Sequence, residues 1–393
     1  MTSHIMPTYG RLPITFDRGE GAWLWDDRGQ RYLDALSGIA VCGLGHAHTA
    51  VHAAICAQSK KLLHTSNLYG IAVQEQLAQR LTEKSGMDNV FFCNSGAEAN
   101  EAAIKLARKF GHQSGIENPA ILVMEKSFHG RTLATLSATG NPKVQQGFAP
   151  LVQGFIRVPY NDVAAIEQAL AQHSNIVAIL VEPIQGEGGV NIPATDYLNQ
   201  IRTLCDQHNI LMMLDEIQTG IGRTGTFLAY QHNGILPDVC SLAKALGNGV
   251  PIGACLARGK AAQILTAGTH GSTFGGNPLA CSAALAVLET LDNDDLIALA
   301  AQKGDLISAA LTVALHNNPH VVDIRHKGLM IGVELDKPCS ELVTLALQAH
   351  LLINVTNEKT IRLLPPLIID PQQIEQLVAT LAMIITEYTA ATL

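Results

Sequence analysis

The chain has 393 residues, with 26 lysines and arginines against 34 acidic residues and a formal net charge of −8. Apolar residues make up 47% and aromatics only 5%, the usage of a globular α/β enzyme and not of a disordered chain. The mild acidity and the lack of any lysine or arginine cluster argue against nucleic acid and against an anionic membrane as partners.

At the N-terminus, MTSHIMPTYG has neither the basic region nor the apolar stretch of a signal peptide. No later run is expected to approach a membrane span, so a cytoplasmic location is expected. The eight cysteines are scattered and form no CxxC pair; they read as reduced core residues. The segment GEGAWLWDDRGQRYLD alternates apolar and polar residues around Asp27-Arg28-Gly29, which predicts a hairpin. His46 and His48 resemble a metal pair, but no third ligand has suitable spacing, so no metal is expected.

From there to the middle of the chain, short apolar runs alternate with amphipathic helical segments. This predicts a mostly parallel sheet covered by helices on both faces. The way the runs end is informative. VFF at 90–92 leads to Cys93-Asn94-Ser95-Gly96, and AILVM at 120–124 leads to Phe128-His129-Gly130-Arg131. IVAILV at 176–181 stops at Glu182, and ILMML at 210–214 stops at Asp215. Ligands of open α/β sheets bind beyond the carboxyl ends of the strands, so four polar strand ends point to one site.

Each end has its own chemistry. SGAEANEAAIKLARKFG predicts a helix opened by a Ser95–Glu98 capping box and closed by Lys105, Arg108 and Lys109. Gly96 and Ala97 leave its first-turn amides open to an anion such as phosphate, with the Glu98 charge opposing unless it turns back toward the cap. In FHGRT, Phe128 could cover a flat ring and Arg131 suits a carboxylate; a structural aromatic beside a surface arginine competes evenly. His129 reads as a packing or hydrogen-bonding residue.

Glu182 and Glu187 in VEPIQGEGG could be an acid and base pair, but loop caps and an ion-pair partner for an arginine are the preferred reading. Asp215 follows five apolar residues, and a buried carboxylate needs a partner. Lys244, in SLAKALGNG, sits among small and apolar residues. Desolvation lowers the pKa of such a lysine, and a neutral amine can attack an aldehyde. Thr273 lies in the small-residue loop HGSTFGGNP and could reach a phosphate. Beyond a long apolar helical stretch near 278–292, a helix, GLMIGVEL, LLINV, TIRLLPPLII and a closing helix predict an α+β module. The expected units are residues 1–52, joining the small domain; 53–285, the large domain; and 286–393, the small domain.

In this order, NSGAEANEAAIKLAR, FHGRT, VEPIQGEGGV, DEIQTGIGRTG, SLAKALGNGVPIGA and HGSTFGGNPLA resemble the class III, or ornithine-type, pyridoxal phosphate aminotransferases. The resemblance covers essentially the whole chain. Through GEGAWLWDDRGQRYLDALSGIAV, LLHTSNLY and KGLMIGVEL it is most similar to the acetylornithine branch of that class. It implies the fold-type I architecture, pyridoxal 5'-phosphate as cofactor, and a homodimer with its site at the subunit interface.

The resemblance also implies roles. Lys244 would carry the cofactor through its aldehyde, Asp215 would pair with the ring nitrogen, and Gln218 would contact the phenolic oxygen. Phe128 and Ile217 would pack on the two ring faces. Ser95, Gly96 and Ala97 would bind the phosphate, and Thr273 would reach the phosphate held by the neighbouring subunit. Arg131 would hold the carboxylate remote from the reacting amine, Arg362 the α-carboxylate of glutamate, and Glu187 would neutralise Arg362 when the substrate has no carboxylate there. Ile39 replaces a tyrosine of the ornithine δ-aminotransferases, which favours an acylated donor because isoleucine makes no hydrogen bond. The implied substrates are N-acetylornithine and 2-oxoglutarate or glutamate. Rivals are an aminotransferase for ornithine, 4-aminobutyrate or a succinylated diamine, an aminomutase or racemase, and a non-catalytic binding relative.

Overall fold

The computed structural model describes residues 4–391; the outermost residues of the expected first and last units, 1–3 and 392–393, lie outside the described residues. The N-terminal segment forms β1 (Phe16–Glu20), β2 (Trp23–Asp26) and β3 (Arg31–Asp34). The predicted hairpin joins β2 and β3. Asp26 closes it by accepting the amides of Arg28 and Gln30 at 3.0 and 2.8 Å, and Gly29 takes φ 83°, a conformation open to glycine at no steric cost.

The central sheet contains β4 (Asn89–Cys93), β5 (Ala120–Met124), β6 (Phe155–Val158), β7 (Ile176–Val181), β8 (Leu211–Asp215), β9 (Val239–Leu242) and β10 (Gly253–Ala257). Their spatial order is β4-β10-β9-β8-β7-β5-β6. Only β10 runs antiparallel to its neighbours β4 and β9, so the other six strands share one direction and their carboxyl ends share one edge. The sheet is thus mixed and mostly parallel with flanking helices, the fold-type I arrangement. The uninterrupted apolar runs follow from this: every residue of β5, β7 and β8 is buried, as strands covered on both faces must be.

The C-terminal part adds β11 (Val321–Lys327), β12 (Met330–Leu335), β13 (Leu351–Leu352), β14 (Asn354–Thr356) and β15 (Thr360–Leu363). One sheet has the order β11-β12-β15-β14. β13 pairs in parallel with β3, so the first and last parts of the chain share a sheet. The helix Pro278–Asn293 runs across the boundary expected at 285 and packs on Thr49–Ser59 and Ala72–Ser85.

Two expectations are corrected. The helix Leu296–Leu315 is long and apolar enough to span a membrane by length and composition. It packs on the C-terminal helix and β11, with Ala300, Ile307, Leu311 and Leu315 buried, and Lys303 on it donates to the Leu367 carbonyl. Of the cysteines, Cys56 is exposed and Cys42 half-buried, while the other six are buried; Cys56 lies on a helix with Val51 as its one buried residue.

Candidate active site

The strand register brings the site together. Val181 pairs with Leu214, and Asp215 pairs with Ser241, so Glu182, Asp215 and Lys244 end adjacent strands at one edge. Gly253 opposite Cys93 brings Ser95 and Gly96 to the same edge. A cavity of ≈ 450 Å³ opens there, lined among others by Ser95, Gly96, Ala97, Phe128, Arg131, Glu187, Asp215, Ile217, Gln218 and Lys244. Ten of the residues predicted from the sequence therefore meet in one place.

Asp215 is held by three donors. On Oδ2 it accepts from His129 Nδ1 at 2.7 Å and from Asn100 Nδ2 at 2.8 Å, and on Oδ1 from the Ile217 amide at 3.1 Å. The contact makes Nδ1 the protonated ring nitrogen of His129, because a carboxylate only accepts. Asn100 is fully buried; it also donates to the His129 carbonyl and accepts from Ser241 Oγ. No sequence motif singles out Asn100. Its signal was a polar residue on the face of Ala103, Ile104 and Ala107, all buried.

Lys244 opens a short 3-10 turn two residues past β9 and takes φ 47°, a strained setting for a long side chain that typically marks a functional site. Among the described residues its ammonium has no hydrogen-bond or ion-pair partner. Burial pulls its pKa down; Glu187, Asp215 and Glu182 oppose this and Arg362 adds to it. The neighbouring Glu182 is pushed well above the carboxylate range, first by burial and then by Asp215, and accepts the Phe128 amide at 3.1 Å.

At the start of Gly96–Gln113, Ser95 Oγ accepts the Glu98 amide at 3.2 Å. The predicted capping box is corrected in its second half: Glu98 turns back past Ser95 to the Asn94 amide, at 2.5 Å. The objection to an anion at this end falls away, since the carboxylate is tied to the residue before the cap. A Cβ on Gly96 would stand 2.7 Å from Ile217 Cδ1, so any larger residue there requires the Ile217 side chain to shift.

Arg362, in β15, is fully buried. Its Nη1 donates to Glu187 Oε1 at 2.6 Å and to Gln218 Oε1 at 3.1 Å, and its Nε to Asn354 Oδ1 at 3.1 Å. Among the described residues Nη2 is buried without a partner, an unmet donor of the kind that awaits a carboxylate. Burial raises the pKa of Glu187, but the Arg362 guanidinium, helped by Lys244 and Gln218, holds the carboxyl below its usual range.

Two predicted residues lie elsewhere. Thr273 is exposed, in a groove with Ser66, Leu68 and His270. Ile39 is 36% exposed at φ 67°, and Val41 from the same segment lines the cavity in its stead. Among the described residues no group of three metal-ligating side chains occurs.

The residues present fit pyridoxal phosphate. The cavity joins a braced carboxylate, a lysine amine without a partner, apolar Phe128 and Ile217, and a helix start with free amides, which match the ring nitrogen, aldehyde, ring faces and phosphate of such a cofactor.

The family model described as aminotransferase class-III matches residues 5–385. The acetylornithine aminotransferase of Nitrosomonas europaea is 56% identical over 384 residues, covering 98% of each chain. Among solved structures, the ornithine aminotransferase of Toxoplasma gondii superposes with a TM-score of 0.95 at 34% identity, covering 99% of this chain and 94% of that one. The N-acetylornithine aminotransferase of Stenotrophomonas maltophilia gives 0.85 at 35% identity, covering 98% of each. Backbone similarity thus spans both donor types.

Proposed function

We propose, because the chain belongs to the class-III aminotransferase family, that it moves the terminal amine of N2-acetyl-L-ornithine to 2-oxoglutarate. The products are N-acetyl-L-glutamate 5-semialdehyde and L-glutamate, a step of arginine biosynthesis. The observation that carries the two-substrate reading is Arg362, paired with Glu187 yet keeping a buried, unused Nη2 beside a cavity that also holds Arg131. What supports the acetylated donor is the full-length similarity to the Nitrosomonas europaea acetylornithine aminotransferase.

The cofactor is pyridoxal 5'-phosphate. When bound, it supplies an aldehyde that takes up amines and a pyridinium ring that draws electrons from the adjoining carbon. Lys244 would hold the aldehyde, Asp215 the ring nitrogen, Gln218 the phenolic oxygen, and the amides at Ser95, Gly96 and Ala97 the phosphate, with Phe128 and Ile217 on the ring faces. Asp215, braced by His129 and Asn100, places fixed negative charge where positive charge must be kept.

Lys244, with its pKa lowered by burial, would take a proton from the substrate carbon at Nζ and return it on the other side of the transfer. Arg131 holds the distant carboxylate in both halves of the cycle. With N-acetylornithine no carboxylate lies near Arg362, and Glu187 neutralises it; with glutamate the α-carboxylate takes the place of Glu187. One cavity then serves an ω-amine and an α-amino acid.

We read the protein as a cytoplasmic homodimer. Thr273 is exposed and away from the cavity of its own chain, and nearby Leu68, Tyr69 and Phe274 are 86%, 67% and 61% exposed, a patch suited to a second copy. Thr273 would then serve the partner's phosphate. Purified enzyme assayed with 2-oxoglutarate and N-acetylornithine, N-succinylornithine, ornithine and 4-aminobutyrate tests the assignment; a higher kcat/KM for ornithine than for its acetylated form would refute it.

A further inference from the structure

The turn at 186–190 carries Glu187, and strands of the C-terminal sheet grip its backbone. Arg325, in β11, donates from Nε to the Val190 carbonyl at 2.8 Å and from Nη2 to the Gly189 carbonyl at 2.5 Å. Its Nη1 lies 2.8 Å from Asp323 and 2.7 Å from Glu334, so the guanidinium fork is oriented from behind by two carboxylates. Thr356, in β14, donates its hydroxyl to the Glu187 carbonyl. The turn itself is strained: Val190 takes φ 52° and Gly189 φ 122°, and a β-branched residue at positive φ persists only where its surroundings impose it. Val190 is fully buried and faces Gly332, where a Cβ would stand 3.0 Å from Val190 Cβ.

We infer that Arg325 is a positioning residue for substrate selection: by fixing the carbonyls of Gly189 and Val190 it keeps Glu187 within reach of Arg362. This rests on the reading of Arg362 and Glu187 given above. An ion pair within one chain competes with a ligand at an effective concentration set by how tightly its backbone is placed. A held turn lets Glu187 neutralise Arg362 whenever the substrate brings no carboxylate, and still yield to one that does. A loosened turn weakens that competition and leaves Arg362 uncompensated beside an ω-amine donor. The two substrates therefore respond in opposite ways. N-acetylornithine loses, while glutamate and 2-oxoglutarate, which compete with Glu187, lose nothing or gain.

The test uses the holoenzyme with Arg325→Met, which keeps the apolar stem and deletes the donors, and Arg325→Lys, which replaces the fork by a point charge. The two half-reactions are followed separately, and binding of glutarate, a dicarboxylate without an amine, is measured alongside. The expected result for Arg325→Met is a rise of at least about fivefold in KM for N-acetylornithine, with KM for glutamate and Kd for glutarate unchanged or lower, and Arg325→Lys in between. Thr356→Val, which removes a second side-chain grip on the same turn, shifts the values in the same direction, and Thr356→Ser restores them; this pair carries the test if Arg325→Met does not fold. Equal changes for both substrates, or no change, overturn the inference. Glu187→Gln separates it from the reading beneath: if that variant shifts the two substrates apart and the Arg325 and Thr356 variants do not, the inference fails alone. If Glu187→Gln shifts neither, the reading of the pair fails.

Discussion

Asn100→Ala removes three hydrogen bonds around Asp215 at once. In the structure Asn100 Nδ2 donates to Asp215 at 2.8 Å and to the His129 carbonyl at 2.8 Å, and its Oδ1 accepts from Ser241 Oγ at 2.7 Å. Ser241 is 1% exposed and Asn100 0%, so water does not replace what is lost. Two groups are stranded, the His129 carbonyl and the Ser241 hydroxyl, at about 1–3 kcal/mol each, or about 2–6 kcal/mol of stability together. Asp215 also loses a hydrogen bond to a charged acceptor, about 1.5–3 kcal/mol. If that is felt where Asp215 meets the ring nitrogen, cofactor affinity falls roughly 10- to 150-fold, since each 1.4 kcal/mol is a factor of ten. Equilibrium dialysis against pyridoxal phosphate reads the affinity, and thermal melting of the cofactor-free protein reads the stability. A variant that melts with the wild type and binds the cofactor as tightly would refute the bracing role.

Three further substitutions concern the cavity wall and the buried acid next to Asp215. Gly96→Ala sets a Cβ 2.7 Å from Ile217 Cδ1, an overpacking that costs about 1–3 kcal/mol and is expected to weaken cofactor binding in a titration. Ile217→Ala added to Gly96→Ala should recover most of the loss in packing; no recovery would mean that the clash is not the cause. Glu216 is buried, with its oxygens on the Thr219 hydroxyl and the Tyr230 amide, and burial lifts its pKa from 4.5 to about 7. A carboxyl with a raised folded pKa binds its proton more tightly when folded, so its contribution is present below pH 4.5 and is lost as pH rises to about 7. The expected loss is on the order of 3 kcal/mol, and Glu216→Gln should flatten melting temperature against pH across that window; an unchanged slope would refute it.

Most of the site was legible because each strand end announces itself: an apolar run followed at once by Asp215, Glu182 or a Ser-Gly turn needs a reason to be polar. Asn100 was hidden because a single polar residue inside an alanine-rich helix looks like surface until the buried face is known. Arg325 was hidden for another reason. It acts on backbone carbonyls, and a hydrogen bond to a carbonyl leaves no trace in the identity of the residue that accepts it. β10 went unread as an antiparallel strand, since direction within a sheet is invisible in a short apolar run.

What the sequence by itself determined is the chemistry: a lysine amine among apolar residues, a carboxylate after a buried run, open amides at a helix start, and two arginines. These follow from residue type and local order, which need no long-range contact. Only the tertiary structure decided which of these groups meet. It put Arg362, 147 residues after Asp215 in the chain, within 2.6 Å of Glu187, left Thr273 and Ile39 outside the cavity, and turned Glu98 back onto the Asn94 amide. The physical reason is that pairing of ionised groups depends on distance and burial, and both are set by strand register and packing that no local pattern encodes.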